Sequence, residues 1–465
     1  MRTLLGLLFS AAICLAEPLL IEGARVHGVP GGVLEDGAVL VLDGKIARVG
    51  KAGSFDLPAG TTRLDARGKV LIPGLVDTHS HLGVYSRPGV IANSDGNEGT
   101  GPVQPLLRAL DSIFPPDPGI KLARAGGVTT ANIMPGSGNV IGGQTAYVKL
   151  HGRTVEQMLI DLDGGPSGMK MANGENPKRT SGGRKQAPMT RMKVMALQRE
   201  TFLKAQQYRD TRAKWIEEKA GDEPKRDLAL APVVEILERK RTVHFHTHRA
   251  DDILSALRLA DEFGFEIVLH HVTEAYRVRD ELERRGTLCS YTLVDSPGGK
   301  PEAIHMRYEN PARAALPRFA LNTDDPVTES RFFLRTAALA IRGGITPEQA
   351  LKSITLWPAE MMHIEKRVGS IEVGKDADLV LLSGDPFSTY TRVLKTWIEG
   401  ELLFDREDPE HLRYATGGYY VRQRFPREEL PPADPPRAVT DRSDSGGSGP
   451  GDFAVRASWV HTASG

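Results

Sequence analysis

The 465-residue sequence predicts an α/β protein: a long parallel βα repeat between two β-rich ends that complete each other. Three observations lead there. Residues 19–70 are short β-like runs cut by Gly, Asp and Pro, and a second β-rich block lies far downstream, from Ala377 to Phe404. Between them, apolar strand-like runs alternate with amphipathic helical stretches, the pattern of a parallel βα repeat.

In the first block the clearest strands are Ala38 to Leu42, Lys45 to Val49 and Lys69 to Ile72, and Asp43-Gly44 reads as a hairpin turn between the first two. The downstream block offers Ala377 to Leu382, Val393 to Ile398 and Leu402 to Phe404. Neither block has strands enough for a good core, so one small sandwich built from both ends is the economical reading. In the middle, Ile253, Leu254, Leu257, Leu259 and Ala260 line a helix, and Phe265 to Leu269 is the next strand. Met189, Met192 and Met195 recur at helical spacing, which reads as a packing face without chemistry.

Residues 1–16 carry one positive charge, an apolar run and the small-residue ending Cys14-Leu15-Ala16, the pattern of a secretory signal peptide. The run is too short for a stable membrane span, so the mature chain is expected to be exported. Removing residues 1–16 leaves Cys289 as the only cysteine, which excludes an intrachain disulfide. Lys plus Arg equals Asp plus Glu at 59 each, so no global field favours nucleic acid, and a small-molecule substrate is the expected partner. Homo-oligomers remain open. After about Tyr420 the chain is rich in Pro, Arg and Asp, then Ser and Gly, and is expected to be disordered.

His79 and His81 follow a strand-like run in Asp77-Thr78-His79-Ser80-His81. Residues two apart on a strand project to one side, so both rings can share an ion. Five of the 13 histidines fall between residues 244 and 271, a clustering that random placement would rarely produce. In Val243-His244-Phe245-His246-Thr247-His248, His246 lies nearest the strand end, His244 lies deeper and His248 starts the loop. His246 and His271 are 25 residues apart, about one βα unit, so neighbouring strands would present both rings to one point. His244 and His270 read instead as core or supporting histidines. Asn322-Thr323-Asp324-Asp325-Pro326 follows another apolar run. An aspartate at this strand end can bind metal and take a proton from attacking water; the plainer reading is that Asp324 or Asp325, the latter foremost, caps a helix over Thr328 to Arg342.

The segments Leu71 to His81, Gly127-Val128-Thr129-Thr130, His248 to Ile253, Asn322 to Pro326 and Gly369 to Val380, with Gly44-Lys45-Ile46, resemble the amidohydrolase superfamily, in particular its imidazolonepropionase-like members. The resemblance spans about residues 19–420. It implies a distorted TIM (β/α)8 barrel over residues 71–358, with a small β-sandwich shared by residues 17–70 and 359–420 and a tail over 421–465. It further implies hydrolysis of a carbon–nitrogen bond with one or two divalent ions, zinc foremost. His79, His81, His246, His271 and Asp324 resemble the family's metal ligands, with Asp324 also the base. For a bridging group the resemblance offers Glu175, the preferred choice, or a carboxylated Lys170; without either the site holds one ion. His248 is a candidate for stabilising developing charge. Arg249 and Tyr276 are candidates for substrate contact, with solvated or helix-capping roles as the plainer reading. The rival functions are a one-ion deaminase of the same fold and a non-catalytic binding barrel.

Overall fold

The computed structural model describes residues 17–219, 221–293 and 300–417; the expected leader (1–16) and tail (421–465) lie outside the described residues. In chain order the strands are β1 (Leu19–Val29), β2 (Gly32–Leu42), β3 (Lys45–Lys51), β4 (Thr62–Asp65), β5 (Val70–Pro73), β6 (Leu75–Ser80), β7 (Val128–Ile133), β8 (Ile141–Gln144) and β9 (Ala146–Lys149). There follow β10 (Met169–Ala172), β11 (Val243–Thr247), β12 (Ile267–His271), β13 (Leu288–Tyr291), β14 (Phe319–Leu321), β15 (Leu379–Leu382), β16 (Val393–Ile398) and β17 (Glu401–Asp405).

The fold is mixed α/β. An eight-stranded sheet runs β17-β16-β15-β5-β1-β2-β3, with β4 also paired to β1, and so draws on both ends of the chain. The β2–β3 turn has both Asp43 and Gly44 at positive φ (49° and 74°), as a tight hairpin requires. A six-stranded sheet runs β14-β13-β12-β11-β10-β8, its strands β10 to β14 parallel and in sequence order. A third sheet, β6-β7-β9, meets the six-stranded one where Ser80 bridges Asp325 in parallel and the Asp324 N–H donates to the His79 carbonyl at 3.0 Å.

Helices cover the parallel strands for the usual reason. Ile253, Ala256, Leu257 and Ala260 form one buried stripe on the helix Ala250–Phe263, which ends at Gly264 in the left-handed region. The helix Arg191–Glu218 buries Val194, Gln198, Thr201, Phe202 and Ala205. Met195 packs against the core but Met189 and Met192 are exposed, which corrects the reading of the three methionines as one packing face; the buried stripe of this helix runs through Val194 and Phe202. The helix after Asp325 begins later than expected, as a 3-10 turn over Ser330–Phe332 and then Phe333–Arg342.

One residue, Gly74, separates β5 in the eight-stranded sheet from β6, which carries His79. Its N–H donates to the Asp378 carbonyl at 2.8 Å. A Cβ there would stand 2.3 Å from Thr129 Oγ1 and 2.5 Å from its Cγ2. Nearby the buried Lys149 ammonium lies 2.9 Å from Asp376 and 2.8 Å from Asp378, pinning β9 to the segment that leads into β15. Thr129 is β-branched and cannot swing aside freely. Gly74→Ala is therefore expected to lower unfolding stability by about 1–3 kcal/mol, and Thr129→Ala in the same chain to restore part of it, both read by urea denaturation.

Candidate metal centre

Strand β6 is buried along its whole length, and its period of two sets Asp77, His79 and, just past its end, His81 on one face. The Asp77 carboxylate accepts the His79 N–H at 3.1 Å, and the Thr323 N–H (3.3 Å) and hydroxyl (2.5 Å) on the far side. Burial pushes this carboxyl up to about 7, against those hydrogen bonds. Thr323 is thereby fixed, and Asp324 follows it at a φ of +50°, which L side chains rarely adopt. Its Oδ1 lies 3.3 Å from His79 Nε2 and 3.2 Å from His81 Nε2. His81 Nδ1 bonds the Met134 carbonyl at 2.7 Å; a carbonyl only accepts, so Nε2 keeps its lone pair for a cation.

His246, His248 and His271 form a second group. Consecutive strand residues face opposite ways, yet His270 and His271 both turn inward, because His271 has a φ of +71°. His271 packs 4.2 Å from His246 and 4.7 Å from His79, centroid to centroid. Each ring of the group ties Nδ1 to a hydroxyl: His246 to Ser137 (2.9 Å), His248 to Thr273 (2.8 Å) and His271 to Thr292 (2.9 Å). The Thr292 hydroxyl donates to Asn322 Oδ1, so His271 Nδ1 is the donor and its Nε2 is an acceptor. That Nε2 is buried without a hydrogen-bond partner. The Nε2 atoms of His246 and His248 face the Lys300 ammonium, which can only donate, so all three Nε2 atoms are acceptors, one of them orphaned, and they fit a metal ion. Burial holds His79, His246 and His271 well below the ordinary histidine range and His248 at about 3, so the rings stay neutral, as ligands require. Asp324 Oδ2 stands 3.9 Å from His271 Nδ1, so the carboxylate borders both groups.

Lys170, on β10, is wholly buried and sets its amine 3.0 Å from His79 Nε2 and 3.1 Å from Met134 Sδ. Burial pushes that amine down to about 7. Glu175 stands elsewhere. Gly174 turns the chain at a φ of +77°, so Glu175 opens the next helix and its carboxylate accepts the Glu302 N–H at 3.5 Å, in neither histidine group. His244 bridges Tyr147 (2.7 Å) and His270 (2.9 Å) beneath the site. Arg249 pairs with Asp251 and Tyr276 stacks under Arg313, so neither lines the cavity. Asp325 accepts from the Ser330 N–H and hydroxyl and from Arg87.

The groups open into a cavity of about 810 Å³ bordered by Tyr85, Arg87, Lys300 and Met306. The sequence reading passed over Asp77, Ser137, Thr273 and Thr292, and it set His248 apart from the ligands. A signal was available for the threonines, since each follows a parallel strand by one or two residues, where such folds collect polar groups.

The chain matches the Amidohydrolase family over residues 311–404. It is 31% identical to the amidohydrolase tasK of Hapsidospora irregularis over 91% of this chain, but spans only 46% of that protein. Over 11% of the chain it is 55% identical to an imidazolonepropionase of Mycolicibacterium smegmatis. Among solved structures, an amidohydrolase from Thermotoga maritima superposes with a TM-score of 0.79 at 38% identity, covering 83% of this chain and all of that one.

Thr292→Val keeps the shape of the side chain but removes the oxygen that orients His271. Metal affinity is expected to fall by about 10–100-fold, measured by competition with a chromophoric chelator; unchanged affinity would show that Thr292 does not set the tautomer.

Proposed function

The chain belongs to the amidohydrolase superfamily, and from that premise we propose that it is a metal-dependent hydrolase cleaving a carbon–nitrogen bond of a small molecule: an amide, a cyclic amide or a peptide. The carrying observation is Asp324, a carboxylate shared between His79 and His81 on one side and the His246, His248 and His271 group on the other. In this reading the three-stranded and six-stranded sheets are walls of one distorted (β/α)8 barrel, and the eight-stranded sheet is the accompanying sandwich.

Bound divalent ions would polarise the scissile carbonyl and lower the pKa of water toward neutrality. Asp324 takes the proton of the attacking water and returns it to the leaving nitrogen. His79 and His81 with Asp324 on one side, and His246, His248 and His271 on the other, would hold the ions. Lys170 is the preferred bridge between the two groups, in carboxylated form, in place of Glu175: its amine already faces His79, and no carboxylate pairs with it among the described residues. The neutral amine favoured by burial is the form that takes up carbon dioxide. Two ligand groups support a two-ion hydrolase over a one-ion deaminase, and a non-catalytic barrel would have no need to keep both.

Asp324→Asn is expected to reduce turnover by on the order of 10²-fold or more, as for loss of a general base. The assay is a screen of dipeptides, N-acyl amino acids and cyclic amides with metal-reconstituted protein, and full activity in this variant would refute the mechanism. Lys170→Met should lower metal content toward one ion per chain by elemental analysis, and Glu175→Gln should leave it unchanged. The opposite pair of results would restore Glu175 as the bridge.

A further inference from the structure

The three-histidine group has a fourth, anionic neighbour outside the strands. Glu302 is buried, with its Oε1 3.8 Å from His246 Nε2 and 4.0 Å from His248 Nε2. Neighbouring ligands of a tetrahedral zinc ion stand about 3.4 Å apart, so Oε1 is a small shift from that spacing. Its other oxygen is anchored by the Glu175 N–H at 2.7 Å, which aims Oε1 at the group. Oε1 has no hydrogen-bond partner. What lies beside it is the Lys300 ammonium, 3.0 Å away and outside hydrogen-bond geometry, itself 3.0 Å from His248 Nε2 and 3.5 Å from His246 Nε2. A cation thus already sits among two imidazole lone pairs and a carboxylate.

Resting on the reading of this group as a metal site, we propose that Glu302 is its anionic ligand and that Lys300 is the resident cation a divalent ion displaces. Arg191 stands 3.9 Å from the other oxygen, Oε2, so Lys300 is the cation that neutralises the Oε1 side of this buried carboxylate, where an unpaired charge would be costly. A divalent ion replaces that ammonium, and Lys300 withdraws into the cavity it borders. The two residues then act oppositely on one equilibrium.

Full-length apoprotein is dialysed against buffered Zn²⁺ and uptake is followed by elemental analysis, with circular dichroism as the folding check. Lys300→Met should bring one of two uptake steps to about tenfold lower free Zn²⁺, since the competing charge is gone. Glu302→Gln, which keeps the bond from Glu175, should move a step about tenfold or more the other way. Unchanged uptake in Lys300→Met overturns the proposal even if Glu302→Gln fails to fold. Two ions in the wild type with both variants unchanged defeat this inference alone, whereas a wild type that takes up none defeats the hydrolase reading as well.

Discussion

Asp77 is the constraint on which the site depends. Its carboxylate is sealed from water and holds the end of β6 to Thr323 by two hydrogen bonds, while a third fixes the backbone of His79. The bridge between Ser80 and Asp325 and the bond from Asp324 to His79 run alongside it. Strands distant in sequence are thereby tied together at the ligands themselves, where geometry must hold to about 0.5 Å. A buried acid is expensive to keep charged, and its three donors offset that cost only in part, since burial still pushes the carboxyl up.

Around this brace the protein collects groups that are uncomfortable without a partner. His271 Nε2 and His79 Nδ1 are buried without hydrogen bonds, and Asp324 and His271 both hold left-handed backbone. Native interiors seldom leave such atoms unpaired, and local strain gathers where a ligand repays it. Each histidine ring in the second group is nonetheless anchored through its other nitrogen by a serine or threonine.

Strand periodicity made much of this legible. A period of two is enough to place His79 with His81, and one βα unit between His246 and His271 is enough to bring those rings to neighbouring strand ends. Local backbone turns were not legible. The positive φ of His271 brings two adjacent histidines to one side, and no residue-type preference announces it. At Gly174 a glycine did signal a turn, yet the direction of that turn decides whether Glu175 or Lys170 faces His79, and direction is set by tertiary contacts such as the bond to Glu302. Lys300 and Glu302 come from a connection without periodicity, which gives sequence reasoning no purchase.

The seating of β5 between β1 and β15 has a consequence in time. β5 pairs with β15 across more than 300 residues, from Val70–Leu382 to Pro73–Leu379, and only Gly74 separates β5 from the strand that bears His79 and His81. As the chain is made from its N-terminus, the strand that steadies these first ligands emerges about 300 residues after them. Long-range pairing of this kind is slow to form, and until it does β5 presents an open edge. The ion-binding geometry is thus a late event, so a chain cut short before residue 379 would carry every ligand named and lack the frame that holds the first pair in place.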